Sequence, residues 1–141
     1  MMRTFFLVII IAFFAQVASA QTYRITVNIA VHSNNGKVFV ELYNNFDGYP
    51  ADHEKAYRKV FASIKNDTST VAFDSIPAGE YAVACYHDEN DNGKLDVNFL
   101  GIPAEGVGAS NNAKGFLGPP SFKNAKFSVS GDVTQNIEIR Y

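Results

Sequence analysis

The chain has 141 residues, a formal net charge of −2 and a single cysteine. This length suits one domain with its own hydrophobic core. The slight acidic excess leaves no basic face to neutralise phosphates, which argues against nucleic-acid binding, and one cysteine excludes an intrachain disulfide.

The first 20 residues have the three parts of a cleavable signal peptide. Arg3 supplies a positive charge, residues 5–15 are all apolar, and Ala18-Ser19-Ala20 offers a small-residue cleavage site. The apolar stretch is shorter than the about 20 residues that a membrane-spanning helix needs. We therefore predict a signal peptide over residues 1–20, a mature domain over residues 21–141 that is periplasmic or secreted, and no membrane span after cleavage. An uncleaved anchor or a buried core helix is the alternative.

Two segments at the start of the mature chain alternate apolar and polar residues, which predicts half-buried strands. The apolar positions are Ile25, Val27, Ile29 and Val31 in the first segment and Val38, Val40 and Leu42 in the second. Asn35-Gly36 between them is typical of a tight hairpin turn. We predict an opening hairpin.

The next stretch mixes a short helix with further strands. Pro50-Ala51-Asp52 is typical of a helix start, with Asp52 as the cap, and predicts two or three turns to about Tyr57 or Val60. Short strands are expected around Phe61 and Ile64 and again around Val71 and Phe73.

Residues 80–87 are apolar on both faces, which predicts a central strand with Cys85 as a buried thiol. Residues 98–120 are rich in glycine and proline and predict a long irregular excursion with one short strand inside. Residues 122–129 and 133–141 would close the fold. About seven short strands separated by turns predict an all-β, two-sheet antiparallel β-sandwich with one short helix.

Residues 88–96 place oxygen-bearing side chains at alternate positions, followed by a glycine. This matches the start of a calcium-binding loop, in which alternate side chains point inward and Gly93 permits the sharp turn. The predicted calcium ligands are Asp88, Asn90, Asn92, the Lys94 carbonyl and Asp96.

The calcium pattern fails at its twelfth position, where Phe99 stands in place of the usual bidentate glutamate. The missing acid could come from Asp91, Glu105 or elsewhere. Because the loop has few firm carboxylate ligands, we expect a weak site with a Kd of about 10⁻⁴ to 10⁻³ M. A plain, metal-free turn uses the same residue types and is the alternative.

Catalytic and zinc chemistry find little support in the sequence. No G-x-S-x-G element is present, and no paired histidine or cysteine spacing indicates a zinc site. His87 is expected to be a structural residue at a strand end that hydrogen-bonds the loop. The protein is therefore predicted not to be an enzyme.

Aromatic residues flank the glycine- and proline-rich stretch. If they are exposed, they could form a carbohydrate- or peptide-binding surface over residues 98–122 without a metal. The candidate ligand-binding residues are Phe99, Asn111, Asn112 and Phe116.

Several blocks resemble a bacterial exported family called domain of unknown function 2141. They are VFVELY at 38–43, FDGYP at 46–50, PAGEYAV at 77–83, the 87–96 segment, NFLGIP at 98–103 and the stretch from 110 to 122. The resemblance implies an exported β-sandwich of bacterial envelopes and brings no established activity.

Phe73 to Val83 shows a looser similarity to transthyretin-like and collagen-adhesin B-type sandwich domains, which implies a prealbumin-like or Ig-like architecture. Some of the latter domains bind calcium through a similar loop. We thus expect an exported, non-enzymatic binding or structural module with a calcium loop and an envelope or extracellular ligand that the sequence does not name.

Overall fold

A computed structural model describes residues 20–141. The predicted signal peptide, apart from Ala20, lies outside the described residues. Within residues 20–141 no helix has the length and apolar character needed to cross a membrane.

In the described residues 20–141, eight strands form two facing sheets, one strand more than the sequence predicts. In chain order they are β1 (Thr22–Ala30), β2 (Lys37–Tyr43), β3 (Arg58–Ser63), β4 (Thr68–Pro77), β5 (Gly79–Asp88), β6 (Val107–Ala109), β7 (Phe127–Val129) and β8 (Val133–Glu138). One sheet has the order β4-β1-β8, and the other has the order β3-β2-β5-β6, with β7 beside the first part of β5. All of these pairs are antiparallel except β1–β8, which is parallel. The predicted two-sheet β-sandwich is confirmed.

The alternating residues of β1 and β2 meet across the sandwich. Ile25, Val27 and Ile29 of β1 are fully buried and share one core with Val38, Val40 and Leu42 of β2. Burying each such side chain favours folding by about 1.5–3 kcal/mol, so this face-to-face contact holds the two sheets together.

The predicted opening hairpin is wrong. β1 pairs with β4 and β8, whereas β2 pairs with β3 and β5, so the turn at Asn35-Gly36 carries the chain from one sheet to the other. An asparagine-glycine step gives the sharp reversal in either case. Here the reversal places the apolar faces of β1 and β2 against each other across the core.

β5 is the central strand, as predicted, and is buried from Tyr81 to Asp88. On its outer face, Ala82 packs in one cluster with Ala109 and Ala125. On the same face, Tyr86 lies beside its cross-strand partner Phe39 of β2, with the ring centroids 5.2 Å apart. Cys85 is buried in the core, and this burial raises the pKa of its thiol to about 12. The thiol therefore stays protonated and unreactive at neutral pH, as the prediction of a core residue requires.

The structure corrects two predicted elements, the helix after Pro50 and the closing segment at 122–129. The helix after Pro50 is a single 3₁₀ turn at His53–Lys55, capped by the Asp52 side chain as predicted, and β3 begins at Arg58. The β-branched and aromatic residues after Arg58 pair with β2 and prevent the helix from continuing. The closing segment predicted at 122–129 is split into a short helix α1 (Phe122–Ala125), capped by Ser121, and β7.

Candidate functional site

The loop of residues 88–96 begins where β5 ends, and Asp88 anchors it. The Asp88 side chain is fully buried, and its two carboxylate oxygens accept hydrogen bonds from the backbone N–H groups of Asn92 at 3.0 Å and Gly93 at 2.8 Å. Gly93 has a φ of +81°, the left-handed conformation that glycine adopts without strain. The loop therefore wraps around the Asp88 carboxylate.

Asn90 and Asn92 continue this wrapping. The Asn90 side-chain oxygen accepts the Asn92 N–H at 3.2 Å, and the Asn92 side-chain oxygen accepts the Lys94 N–H at 3.0 Å. Their amide nitrogens donate to the Asp96 carboxylate at 2.6 Å from Asn90 and 2.9 Å from Asn92. These donors, Asn92 foremost, lower the pKa of the Asp96 carboxyl, which is ionised at neutral pH.

Glu105 closes the loop from outside it. Its buried carboxylate accepts the backbone N–H of Glu89 and that of Asp96, each at 3.0 Å, so it holds both ends of the loop. Asp91 points elsewhere and forms an exposed ion pair with Lys37 at 2.8 Å. Of these two acids, which were candidates for the glutamate missing at position 99, Glu105 is thus the one whose carboxylate bonds the loop backbone.

The arrangement provides three carboxylates and two side-chain amides around one short loop, with Lys94 as its exposed cation. Calcium takes six to eight oxygen ligands and accepts carboxylate, amide and backbone oxygens. The order acid, amide, amide, glycine is also the order of loop positions 1, 3, 5 and 6 in the pattern that binds calcium. For calcium to bind, the amides of Asn90 and Asn92 must rotate so that oxygen replaces nitrogen.

A small two-stranded arm over residues 96–104 follows the loop. The Ala104 N–H bonds the Asp96 carbonyl at 2.8 Å, Val97 pairs with Pro103, and the Asn98 side-chain oxygen accepts the N–H groups of Leu100 and Ile102. Phe99 stands at the arm's tip with 95 % of its surface exposed. The aromatic ring is thus held out into solvent by a hydrogen-bonded turn.

The other predicted ligand-binding residues lie beyond β6. Phe116 is exposed in an irregular segment. The Asn111 amide donates to the carbonyls of Ala125 and Lys126, and the Asn112 side chain bonds β8 at Asn136 and Glu138. Both asparagines therefore connect chain segments. The carbohydrate- or peptide-binding alternative stays a prediction.

The histidines are arranged differently from the sequence-based expectation. His87 is a buried strand-end residue, as expected, but it bonds the Asn35 carbonyl and the Tyr141 hydroxyl rather than the 88–96 loop. His32 follows β1 and lies beside His87 and Glu89. No local spacing reveals this cluster because the two histidines come from different sheets. The one feature of the sequence that could indicate the cluster is that each histidine lies at the end of a strand or just after it.

Comparison with known proteins gives a family and no activity. No curated protein and no solved structure matched the chain, so the looser similarity to transthyretin-like and adhesin domains stays a prediction. The model of the family described as "Uncharacterized protein conserved in bacteria (DUF2141)" matches residues 25–137. That range is most of the chain and includes both sheets and the 88–96 loop, and the chain therefore belongs to the DUF2141 family.

Proposed function

We propose that this protein is an exported, non-enzymatic binding module whose 88–96 loop binds one calcium ion weakly. The observation that carries the proposal is the buried Asp88 carboxylate, around which the backbone of Asn92 and Gly93 is already folded. A plain turn does not require a buried anionic side chain at its centre.

The donor set favours calcium over other ions. Carboxylate, amide and carbonyl oxygens suit hard cations, whereas zinc and copper prefer imidazole and thiolate. The proposed ligands are the side chains of Asp88, Asn90, Asn92 and Asp96 and the carbonyl of Lys94, with Glu105 holding the loop by its backbone. Only two ligating carboxylates are present, which fits a Kd of about 10⁻⁴ to 10⁻³ M.

Calcium at this position would stiffen the surface that contacts a partner. Asp96 starts the arm of residues 96–104, and Glu105 bonds the N–H groups of both Glu89 and Asp96. An ion bound to Asp88 and Asp96 would join the end of β5 to the arm that presents Phe99. The arm tip is therefore the proposed contact surface for an envelope or extracellular ligand.

Export is part of the proposal because the calcium affinity of the site must match the calcium concentration around the protein. A site with a Kd near the millimolar range is of use only where calcium is abundant, as it is for extracellular modules. The leader-like residues 1–20 support such a location.

Calorimetric titration of the mature domain with calcium, together with thermal melts, tests the proposal. We expect one ion per chain. Linkage predicts stabilisation of about 1–3 kcal/mol at about 10 mM calcium, which raises the melting temperature by about 4–10 °C. Magnesium should give a much smaller shift, because it dehydrates reluctantly and demands octahedral geometry.

Two matched variants locate the ion. Asp96→Asn should weaken calcium binding by more than about tenfold, since one ligating charge is lost. Asp91→Asn changes a neighbouring acid that contacts Lys37 instead, and it should weaken binding by less than about threefold. The proposal fails if the wild-type domain gives neither heat nor a rise in melting temperature, or if both variants weaken binding equally.

A further inference from the structure

At one end of the sandwich, His32, His87 and Glu89 come together from two sheets. His32 follows β1, His87 lies near the end of β5, and Glu89 directly follows β5 as the second residue of the 88–96 loop. One potential metal-ligating atom from each residue lies within 4.8 Å of the others, which is the only such group of three among residues 20–141. We propose that these three side chains form a site for a borderline divalent transition metal ion of the zinc class, with no ligand in common with the proposed calcium site.

His87 is prepared as a ligand by its partners. Its Nε2 lies 2.7 Å from the Asn35 carbonyl oxygen, which accepts a hydrogen bond and so fixes the proton on Nε2. The lone pair is then on Nδ1, which lies 2.7 Å from the Tyr141 hydroxyl. Metal-binding histidines almost always donate their second ring N–H to a carbonyl or carboxylate in this way. Tyr141 must release Nδ1 when the ion binds.

His32 and Glu89 supply the accessible side of the site. His32 Nε2 lies 2.6 Å from a Glu89 carboxylate oxygen, and the His32 ring stacks on Tyr141 with centroids 3.5 Å apart. Two ligand atoms on a tetrahedral zinc ion lie about 3.4 Å apart, so these groups need to separate by less than 1 Å. Their side chains are 51 % and 32 % exposed, which leaves an entry path and room for a water ligand.

The chemistry of the ligands separates this site from the calcium loop. Two imidazoles and one carboxylate suit zinc, copper or nickel, whereas calcium binds oxygen ligands and has little affinity for imidazole. With three protein ligands and an open fourth position, the site resembles catalytic zinc sites more than structural ones, which are closed. Glu89 is not among the proposed calcium ligands, so the two sites share no side chain.

The test is zinc titration of the mature domain by calorimetry with excess calcium present, repeated with three matched glutamine variants. His32→Gln and Glu89→Gln should each weaken zinc binding by at least about tenfold. His53→Gln is the control, because His53 is also exposed and also contacts a carboxylate, that of Glu41. Within residues 20–141, His53 belongs to no group of three potential metal ligands. It should leave zinc binding within about twofold of wild type.

Cobalt in place of zinc gives a second readout, because the visible d–d absorption of Co²⁺ becomes stronger when the ion leaves water for a four-coordinate protein site. We expect this absorption in the wild-type protein and in His53→Gln, and its loss in His32→Gln with the melting temperature in metal-free buffer unchanged. Absence of stoichiometric zinc binding to the wild-type protein would overturn the proposal. So would equal losses in His32→Gln and His53→Gln, or displacement of zinc by calcium.

Discussion

Replacing Asp88 by alanine should cost about 2–4 kcal/mol of unfolding free energy and abolish calcium binding. The side chain is fully buried, and it accepts hydrogen bonds from the backbone N–H groups of Asn92 and Gly93. The Asn92 N–H also contacts the Asn90 side-chain oxygen at the longer distance of 3.2 Å. Hydrogen bonds to a charged acceptor contribute about 1.5–3 kcal/mol each, and part of that loss is recovered when water reaches the freed N–H groups. Urea denaturation in the presence of a chelator measures the stability loss separately from the loss of calcium.

Asp74→Ala is the control for this substitution. Asp74 also forms a short contact, 2.6 Å from its carboxylate to Arg24 Nε, but both side chains are more than half exposed. Exposed ion pairs contribute about 0–1 kcal/mol, so this variant should remain close to wild type. Equal stability losses for Asp88→Ala and Asp74→Ala would contradict the anchoring role of Asp88.

Gly36→Ala should destabilise the domain by about 2–4 kcal/mol. Gly36 lies in the turn between the two sheets with a φ of +64°, and an added Cβ would lie 1.8 Å from the Asp88 carbonyl oxygen. A left-handed conformation costs a non-glycine residue about 1–2 kcal/mol, and the clash with backbone adds to this. Because the same turn places the Asn35 carbonyl against His87, zinc binding should weaken too.

Gly131→Ala is the matched glycine control. Gly131 does not adopt a positive φ, and an added Cβ would meet nothing within 4 Å. Its stability should stay within about 0.5 kcal/mol of wild type in the same urea experiment. A loss below about 1 kcal/mol for Gly36→Ala would show that the turn can move away from Asp88.

Local patterns predict β1, β2 and β5 well because these strands bury one face or both faces in the core. The alternation in β1 and β2, the doubly buried β5 and the cap at Asp52 all follow from near neighbours in sequence. What the patterns do not contain is the partner of each strand. Asn35-Gly36 is equally suited to a hairpin and to a crossing between sheets, so the predicted hairpin was wrong.

The two candidate metal sites also differ in whether local sequence patterns can indicate them. Asp88, Asn90, Asn92 and Asp96 lie within one loop, so their spacing indicates the calcium site directly. Glu105 was one of several possible acids because its contact with the loop depends on the path of the arm. His32 and His87 are far apart in the chain, and only the packing of the two sheets brings them together.

A crystal structure of the mature domain grown with calcium tests the central claim most directly. We predict an ion within about 2.3–2.6 Å of oxygens from Asp88, Asn90, Asn92, Lys94 and Asp96, with both amides rotated to present oxygen. The Glu105 carboxylate should keep its bonds to the backbone of Glu89 and Asp96. A loop without an ion at saturating calcium, in which Asn90 and Asn92 still donate to Asp96, would contradict the account.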